Sequence, residues 1–208
     1  MSHVVLLGDS IFDNGAYVQP GPDVIAQLRL KLGPGWKATL LAVDGDVTEG
    51  VRRQLAQAPS DATHLIISVG GNDALRSSGL LHEPARSMAD AMSRLADAKD
   101  RFASEYSQMA EAVAARRLPT ALCTIYDANY PPPYSRLVVT GLALFNDVIT
   151  RTAGRLGFDL IDLRLICDEP GDYANPIEPS VQGGAKITAA IAAMVQGRAA
   201  ERTSRVWT

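Results

Sequence analysis

Hydrophobic residues along this chain gather in short, nearly continuous runs, separated by longer stretches in which they recur at helical spacing. His3–Leu7, Ala38–Val43, His64–Val69, Thr120–Ile125 and Phe158–Leu163 are the five apolar runs. They do not alternate with polar residues, a pattern that predicts strands covered on both faces. Val24, Leu28 and Leu32 mark one face of a first helix. Residues 86–116 place Met88, Met92, Leu95, Phe102, Tyr106, Met109 and Val113 at steps of three, four or seven. Val138, Leu142, Phe145, Ile149 and Leu156 repeat that spacing, and Ile187, Ile191 and Val195 do so after Gly183-Gly184. All these stripes read as core faces rather than cofactor contacts.

Strand-like runs alternating with helical patterns predict an α/β protein: a three-layer α/β/α fold with a five-stranded parallel sheet and right-handed crossovers. Ligands of such sheets bind beyond the carboxyl ends of the strands. Three loops at that edge carry chemistry: Gly8-Asp9-Ser10, Asp44-Gly45-Asp46 and Gly70-Gly71-Asn72-Asp73. A fourth, Tyr130-Pro131-Pro132-Pro133-Tyr134, is a stiff lid or a plain rigid connection. The length of 208 residues suits one sizeable domain, read as residues 1–198 with a tail over 199–208. Trp207 in that tail leaves open a docking contact, with the body or with a second copy in a homodimer.

Composition removes several classes of function. A hydrophobic content of 47% with 21% charged residues is that of an ordinary globular protein. The formal net charge of -3 creates no basic field, which argues against a nucleic-acid partner. No apolar run approaches the roughly 20 residues of a bilayer span. Val4–Leu7 lacks the basic lead-in of a secretory signal, so a cytoplasmic location is expected. Cys123 and Cys167 match no metal-ligand spacing and read as free thiols. The three histidines do not cluster and no phosphate loop is present, so neither a metal nor an organic cofactor is implied.

Ser10 follows the first strand, where its hydroxyl is presented at the active edge. A tetrahedral oxyanion formed there needs hydrogen-bond donors about 3 Å away in a water-poor site. The backbone N–H of Ser10, the N–H of Gly45 and the side-chain amide of Asn72 are the candidates. Singly, Gly45 reads as a turn residue and Asn72 as a cap; together, on three successive strands, they favour acyl-transfer chemistry on a small ester or acyl substrate.

At these residues the chain resembles the SGNH (GDSL-type) hydrolases, a family of esterases, lipases, thioesterases and carbohydrate deacetylases. Gly8-Asp9-Ser10 is similar to the nucleophile block, Gly45 to the glycine block and Gly70-x-Asn72-Asp73 to the asparagine block. The resemblance covers nearly the whole chain and implies a flavodoxin-like fold. It also implies that Asp9 holds the nucleophile turn by accepting backbone hydrogen bonds.

The fourth block departs from the family pattern, which has Asp-x-x-His before the last helix. Asn175-Pro176-Ile177-Glu178 stands in that frame, aligned through Pro179, Ser180 and Gly183. Glu178 therefore takes the place of the histidine and Asn175 that of the aspartate. Serine needs a base, and an ordinary glutamate, near pKa ~4.3, is a weaker one than histidine at ~6.5. Desolvation would raise the Glu178 pKa, and a hydrogen bond donated by Asn175 to its carboxylate would partly oppose that rise.

His3 and His64 begin their strands, roughly 20 Å from the opposite edge at ~3.3 Å per residue. His82 follows Asn72 by ten residues and reads as a surface residue, or as one able to swing toward Ser10. Three functions stay open on these residues: a serine esterase or thioesterase with Glu178 as base; a ligand-binding protein on a hydrolase scaffold; and an acyltransferase or acid–base enzyme using Glu178.

Overall fold

The computed structural model describes residues 1–197, so the tail over 199–208 with Trp207 lies outside the described residues. Its elements run β1 (Ser2–Gly8), α1 (Val24–Leu32), β2 (Trp36–Leu40), α2 (Gly50–Ala56), β3 (His64–Ser68), α3 (Gly71–Ser77) and α4 (Met88–Ala114). There follow β4 (Thr120–Cys123), α5 (Tyr134–Leu156), β5 (Asp159–Ile161), β6 (Tyr173–Asn175), β7 (Glu178–Pro179) and α6 (Val181–Val195).

Five strands form one parallel sheet in the order β2-β1-β3-β4-β5. Successive side chains of a strand point to opposite faces, and β1 shows the consequence. Val4 and Leu6 join a core with Val24 and Leu28 of α1 and Ile187 and Ile191 of α6. Val5 and Leu7 join a second core with Val51 of α2, Phe102 and Met109 of α4, and Ile149 of α5. Each of these four β1 side chains is fully buried, worth about 1.5–3 kcal/mol apiece. The sheet order places a topological switch between β1 and β3, where connections leave in opposite directions and a crevice opens. Ser10 follows β1, and Asn72, in the first turn of α3, follows β3, one on each side of it.

The central strands keep the expected burial, whereas the outer two do not. β2 is only half covered and ends at Leu40 rather than Val43, because Leu41 and Ala42 both donate to the Leu6 carbonyl, at 2.9 and 3.1 Å, and break the ladder. β5 is exposed at its first two residues and ends at Ile161. Asp162 leaves the ladder to cap the following short turn, accepting from the Arg164 N–H at 3.2 Å and from the Thr124 hydroxyl at 2.9 Å. The stripe of α4 is also core only in part. Phe102, Tyr106, Met109 and Val113 are buried, but Met88 and Met92 are 78% and 53% exposed. Burial along this 27-residue helix begins only at Ala98. The two cysteines are buried and free.

Candidate active site

The site begins with a close approach of two strands. Gly8 ends β1 opposite Ser68 of β3 with φ at +129°, and a Cβ there would lie 1.8 Å from the Ser68 carbonyl oxygen. Only glycine fits. The chain then coils once, with the N–H groups of Phe12 and Asp13 both donating to the Asp9 carbonyl at 3.1 Å. Asp9 Oδ1 accepts from the Ile11 N–H at 3.2 Å, the turn-holding role expected of it. Its carboxyl is fully enclosed, and burial lifts its pKa to about 8.

Ser10 Oγ donates to Glu178 Oε1 at 3.0 Å. Glu178 reaches this position on a small antiparallel hairpin, β6–β7, which pairs Asn175 with Glu178 around Pro176-Ile177. Periodicity offered no sign of strands so short; the Asn-Pro dipeptide was the available turn signal. The bond expected from the Asn175 amide to the Glu178 carboxylate is not formed among the described residues. Asn175 Oδ1 instead accepts from the N–H groups of Ile177 and Glu178, at 2.9 and 3.0 Å, and so shapes the turn. A side chain three residues back can reach the backbone it precedes more readily than the carboxylate beyond it.

Neighbouring loops brace the hairpin. Tyr126 Oη donates to the Ile177 carbonyl at 2.7 Å and the Asn129 N–H to the Pro176 carbonyl at 2.8 Å, both from the loop after β4. Asn14 Nδ2, from the loop after β1, donates to the Pro179 carbonyl at 3.1 Å. Glu178 is 5% exposed, and its Oε2 is buried with no hydrogen-bond partner among the described residues. Burial, opposed by the Ser10 hydrogen bond and aided by the charge of Asp44, lifts the carboxyl to about 7. That is the rise desolvation was expected to produce.

Asn72 sits in the first turn of α3, and its Nδ2 donates to the Asp46 carbonyl at 2.9 Å. One amide hydrogen is thereby used and the other remains for a ligand. Asp73 accepts from the N–H and hydroxyl of Thr48 at 3.1 and 3.0 Å, tying the same loop a second time. Gly45 adopts φ +78° and is exposed in a shallow neighbouring cleft beside Asp44 and Arg53. Ser10, Asn72 and Glu178 line one cavity, and Gly45 stands outside it.

Gln54 is a further member of the site, outside the sequence motifs. It lies on the buried face of α2 with Val51 and Leu55. Its Oε1 accepts from the Gly8 N–H at 2.7 Å, while its Nε2 donates to the Gly8 carbonyl and to Asp46 Oδ2, both at 2.8 Å. One side chain thus joins the nucleophile turn to the loop that holds Asn72. A polar residue on an otherwise apolar stripe was the signal.

The cavity, about 120 Å³, runs from Ser10 and Glu178 between α3, α4 and α5. Leu75, Leu95, Ile125, Val138, Leu142 and Phe145 supply much of its wall, so two helix stripes serve the cavity as well as the core. Tyr130 and Tyr134 also line it and pack edge to face with centroids 5.2 Å apart, which makes the proline-rich loop a wall of the site. His82 is exposed, stacks on Tyr134 at 5.9 Å and does not line the cavity. His3 is held by Asp61 and Thr39 at 2.9 and 2.7 Å, and His64 by Thr63 at 2.9 Å, at the far strand ends.

A family model described as the GDSL-like Lipase/Acylhydrolase family matches residues 6–186. No curated protein matches the sequence. Among solved structures, a hydrolase from the metagenome of Lake Arreo, Spain, is similar with a TM-score of 0.71 at 18% identity, over 94% of this chain and 95% of that one. An extracellular lipase from Streptomyces rimosus has a TM-score of 0.65 at 17% identity, covering 92% of this chain and 100% of the lipase. Est24, a carbohydrate acetylesterase from Sinorhizobium meliloti, has a TM-score of 0.66 at 13% identity, over 95% and 99% of the two chains. At these identities the likeness is one of fold.

Proposed function

Because the chain belongs to the GDSL-like lipase/acylhydrolase family, we propose that it is a serine acyl hydrolase acting on a small ester or thioester with an apolar acyl group, and that Glu178 is its base. The observation that carries this reading is the 3.0 Å hydrogen bond from Ser10 Oγ to Glu178 Oε1. A general base must stand within about 2.6–3.2 Å of the proton it takes, with a pKa near the working pH. Glu178, lifted to about 7, meets both conditions.

Ser10 Oγ attacks the acyl carbon and passes its proton to Glu178. The carbonyl oxygen, now negative, accepts hydrogen bonds from the Ser10 N–H and the free amide hydrogen of Asn72. Gly45, outside the cavity, belongs to the loop that Asn72 tethers through Asp46 and gives that loop its turn. The bond from the acyl carbon to the alcohol breaks, and the proton on Glu178 goes to the departing oxygen. Water then attacks the acyl-serine, Glu178 takes its proton and returns it to Ser10 Oγ, and the acid leaves. Asn175 acts at one remove, by shaping the turn that carries Glu178.

The acyl group fits the cavity between α4 and α5, whose aliphatic and aromatic wall favours hydrocarbon over water. The test is turnover of p-nitrophenyl acyl esters, together with mass spectrometry after a fluorophosphonate probe. Turnover that Ser10→Ala abolishes, and a single adduct on Ser10, are expected. Activity surviving Ser10→Ala, or neither turnover nor adduct in the wild type, would overturn the assignment.

A further inference from the structure

Two carboxyls line the cavity, Asp9 and Glu178, and only Glu178 has a part in the reaction described above. Asp9 is 3% exposed, and its Oδ1 accepts from the Ile11 N–H at 3.2 Å. That bond holds the turn and leaves Oδ2 over. No hydrogen bond reaches Oδ2 among the described residues. Unlike Glu178 Oε2, it is not sealed in by neighbouring atoms, so it faces the cavity that Asp9 lines. It lies on the side of Gly71, the residue before Asn72: a Cβ added to Gly71 would sit 3.9 Å from it.

A buried oxygen facing an apolar cavity is costly as a bare charge and far less so as a hydroxyl. The groups around Asp9 favour the hydroxyl. Glu178 of β7, Asp73 of α3, Tyr106 of α4, Cys123 of β4 and Tyr126 of the loop that follows each interact electrostatically with it. All five are neutral or negative, and no lysine, arginine or histidine forms an ion pair with Asp9 among the described residues. Burial, against the Ile11 hydrogen bond and with the charges of Glu178 and Asp73, lifts its pKa to about 8.

We propose that Asp9 is a catalytic residue: protonated at Oδ2, it donates a hydrogen bond to the carbonyl oxygen of the substrate and joins Ser10 and Asn72 in holding the oxyanion. This rests on the acyl-hydrolase reading and gives its oxyanion site a third donor, Gly45 being outside the cavity. A carboxylic acid kept neutral by an apolar site can serve as such a donor, and an O–H donated to a negative oxygen makes one of the shorter and stronger hydrogen bonds. Protonation decides the sign of the effect. As an acid, Asp9 stabilises the charge that forms on the carbonyl oxygen; as a carboxylate, it repels that charge across a site of low dielectric. Asp9 gives up no proton in either half of the reaction, so the exchange among Ser10, Glu178, the leaving alcohol and water stays balanced.

The test is the pH profile of kcat/KM on a p-nitrophenyl ester, with the full chain. In the wild type it is expected to rise through about 7 as Glu178 ionises and to fall above about 8 as Asp9 does. Asp9→Asn keeps an oxygen for the Ile11 N–H and an N–H for the substrate but cannot ionise, so its profile should keep the rise and lose the fall. Asp9→Leu removes the donor and should lower kcat by about 10²–10³-fold, against less than about ten-fold for Asp9→Asn. A wild-type profile that stays level to about pH 9.5, or an equal fall in Asp9→Asn, would overturn the proposal, while Ser10-dependent turnover would leave the hydrolase reading standing. A second measurement needs no turnover. The infrared difference spectrum, wild type minus Asp9→Asn, is expected to show the carbonyl stretch of a protonated carboxyl at about pH 6.5, fading as pH passes about 8. A carboxylate band in its place at about pH 6.5 would end the proposal whether or not the protein hydrolyses esters.

Discussion

Gln54 grips the Gly8 peptide from both sides, accepting from its N–H at 2.7 Å and donating to its carbonyl at 2.8 Å. Gly8 is the last residue of β1, two positions before Ser10, and no side chain of its own can hold it. The clamp therefore substitutes for packing at the point where the strand must turn. Gln54→Leu keeps the size but strands the buried Gly8 N–H, while the Gly8 carbonyl keeps the Val43 N–H at 3.1 Å, a loss of about 1–3 kcal/mol in stability. In assays on esters, kcat is expected to fall about ten-fold or more with KM little changed. A KM effect equal to or larger than the kcat effect would show that Gln54 serves binding instead.

The pH behaviour follows from Glu178. Its folded pKa is about 7 against an ordinary 4.5, so the proposed base is ionised only above about 7, and kcat/KM is expected to rise through that region. The same shift has the opposite sign for stability. Between about 4.5 and 7 the unfolded chain ionises and the folded one does not, so stability falls as pH rises, by roughly 3 kcal/mol in all. Asp9, lifted from 3.8 to about 8, acts in the same direction over its own window. Glu178→Gln is expected to lose turnover by about 10²–10⁴-fold while raising Tm at pH 8 more than at pH 4. An equal Tm change at both pH values would mean that Glu178 is ionised freely in the folded protein.

Asn175 provides a separate handle on the base. Asn175→Ala removes the oxygen that receives the Ile177 and Glu178 N–H groups, a loss of about 1–2 kcal/mol. The hairpin should loosen and kcat should fall. Asn175→Asp keeps the accepting oxygen and is expected to recover most of the lost stability in thermal unfolding. Were the aspartate no better than alanine, the turn would have to be held by other contacts.

Gly141 lies on α5 in the cavity wall, and a Cβ placed there meets nothing within 4 Å. Gly141→Ala should stabilise the helix by roughly 0.5–1 kcal/mol. Gly141→Phe should fill part of the cavity and shift preference from octanoyl toward acetyl p-nitrophenyl esters by about ten-fold or more in kcat/KM. An unchanged chain-length profile would put the acyl group elsewhere.

How much of this was readable from the chain depended on local context. β1, β3 and β4 were legible because both faces of each are covered, which leaves an unbroken apolar run. The ends of β2 and β5 were not, since an edge strand stops where its single neighbour stops bonding, as Leu41 and Ala42 do on Leu6. α2 and α3 escaped periodicity because seven residues make barely two turns. Ser10, Asn72 and Glu178 came from loop motifs in a resembling frame, and they share a cavity. Gln54 and the bracing by Tyr126 and Asn129 depend on contacts across more than 40 residues, which no local pattern records.

The loop after β4 has two duties at once. One stretch of it, through Tyr130, forms a side of the apolar pocket, and another, through Tyr126 and Asn129, grips the turn that carries Glu178. A tail that presses on Tyr130 therefore bears on the same loop that braces the Glu178 turn. On the proposed hydrolase reading, a substrate whose tail presses snugly on that wall is expected to react faster than a short one that leaves it slack. Turnover should thus climb with tail length faster than affinity does, until the pocket is full.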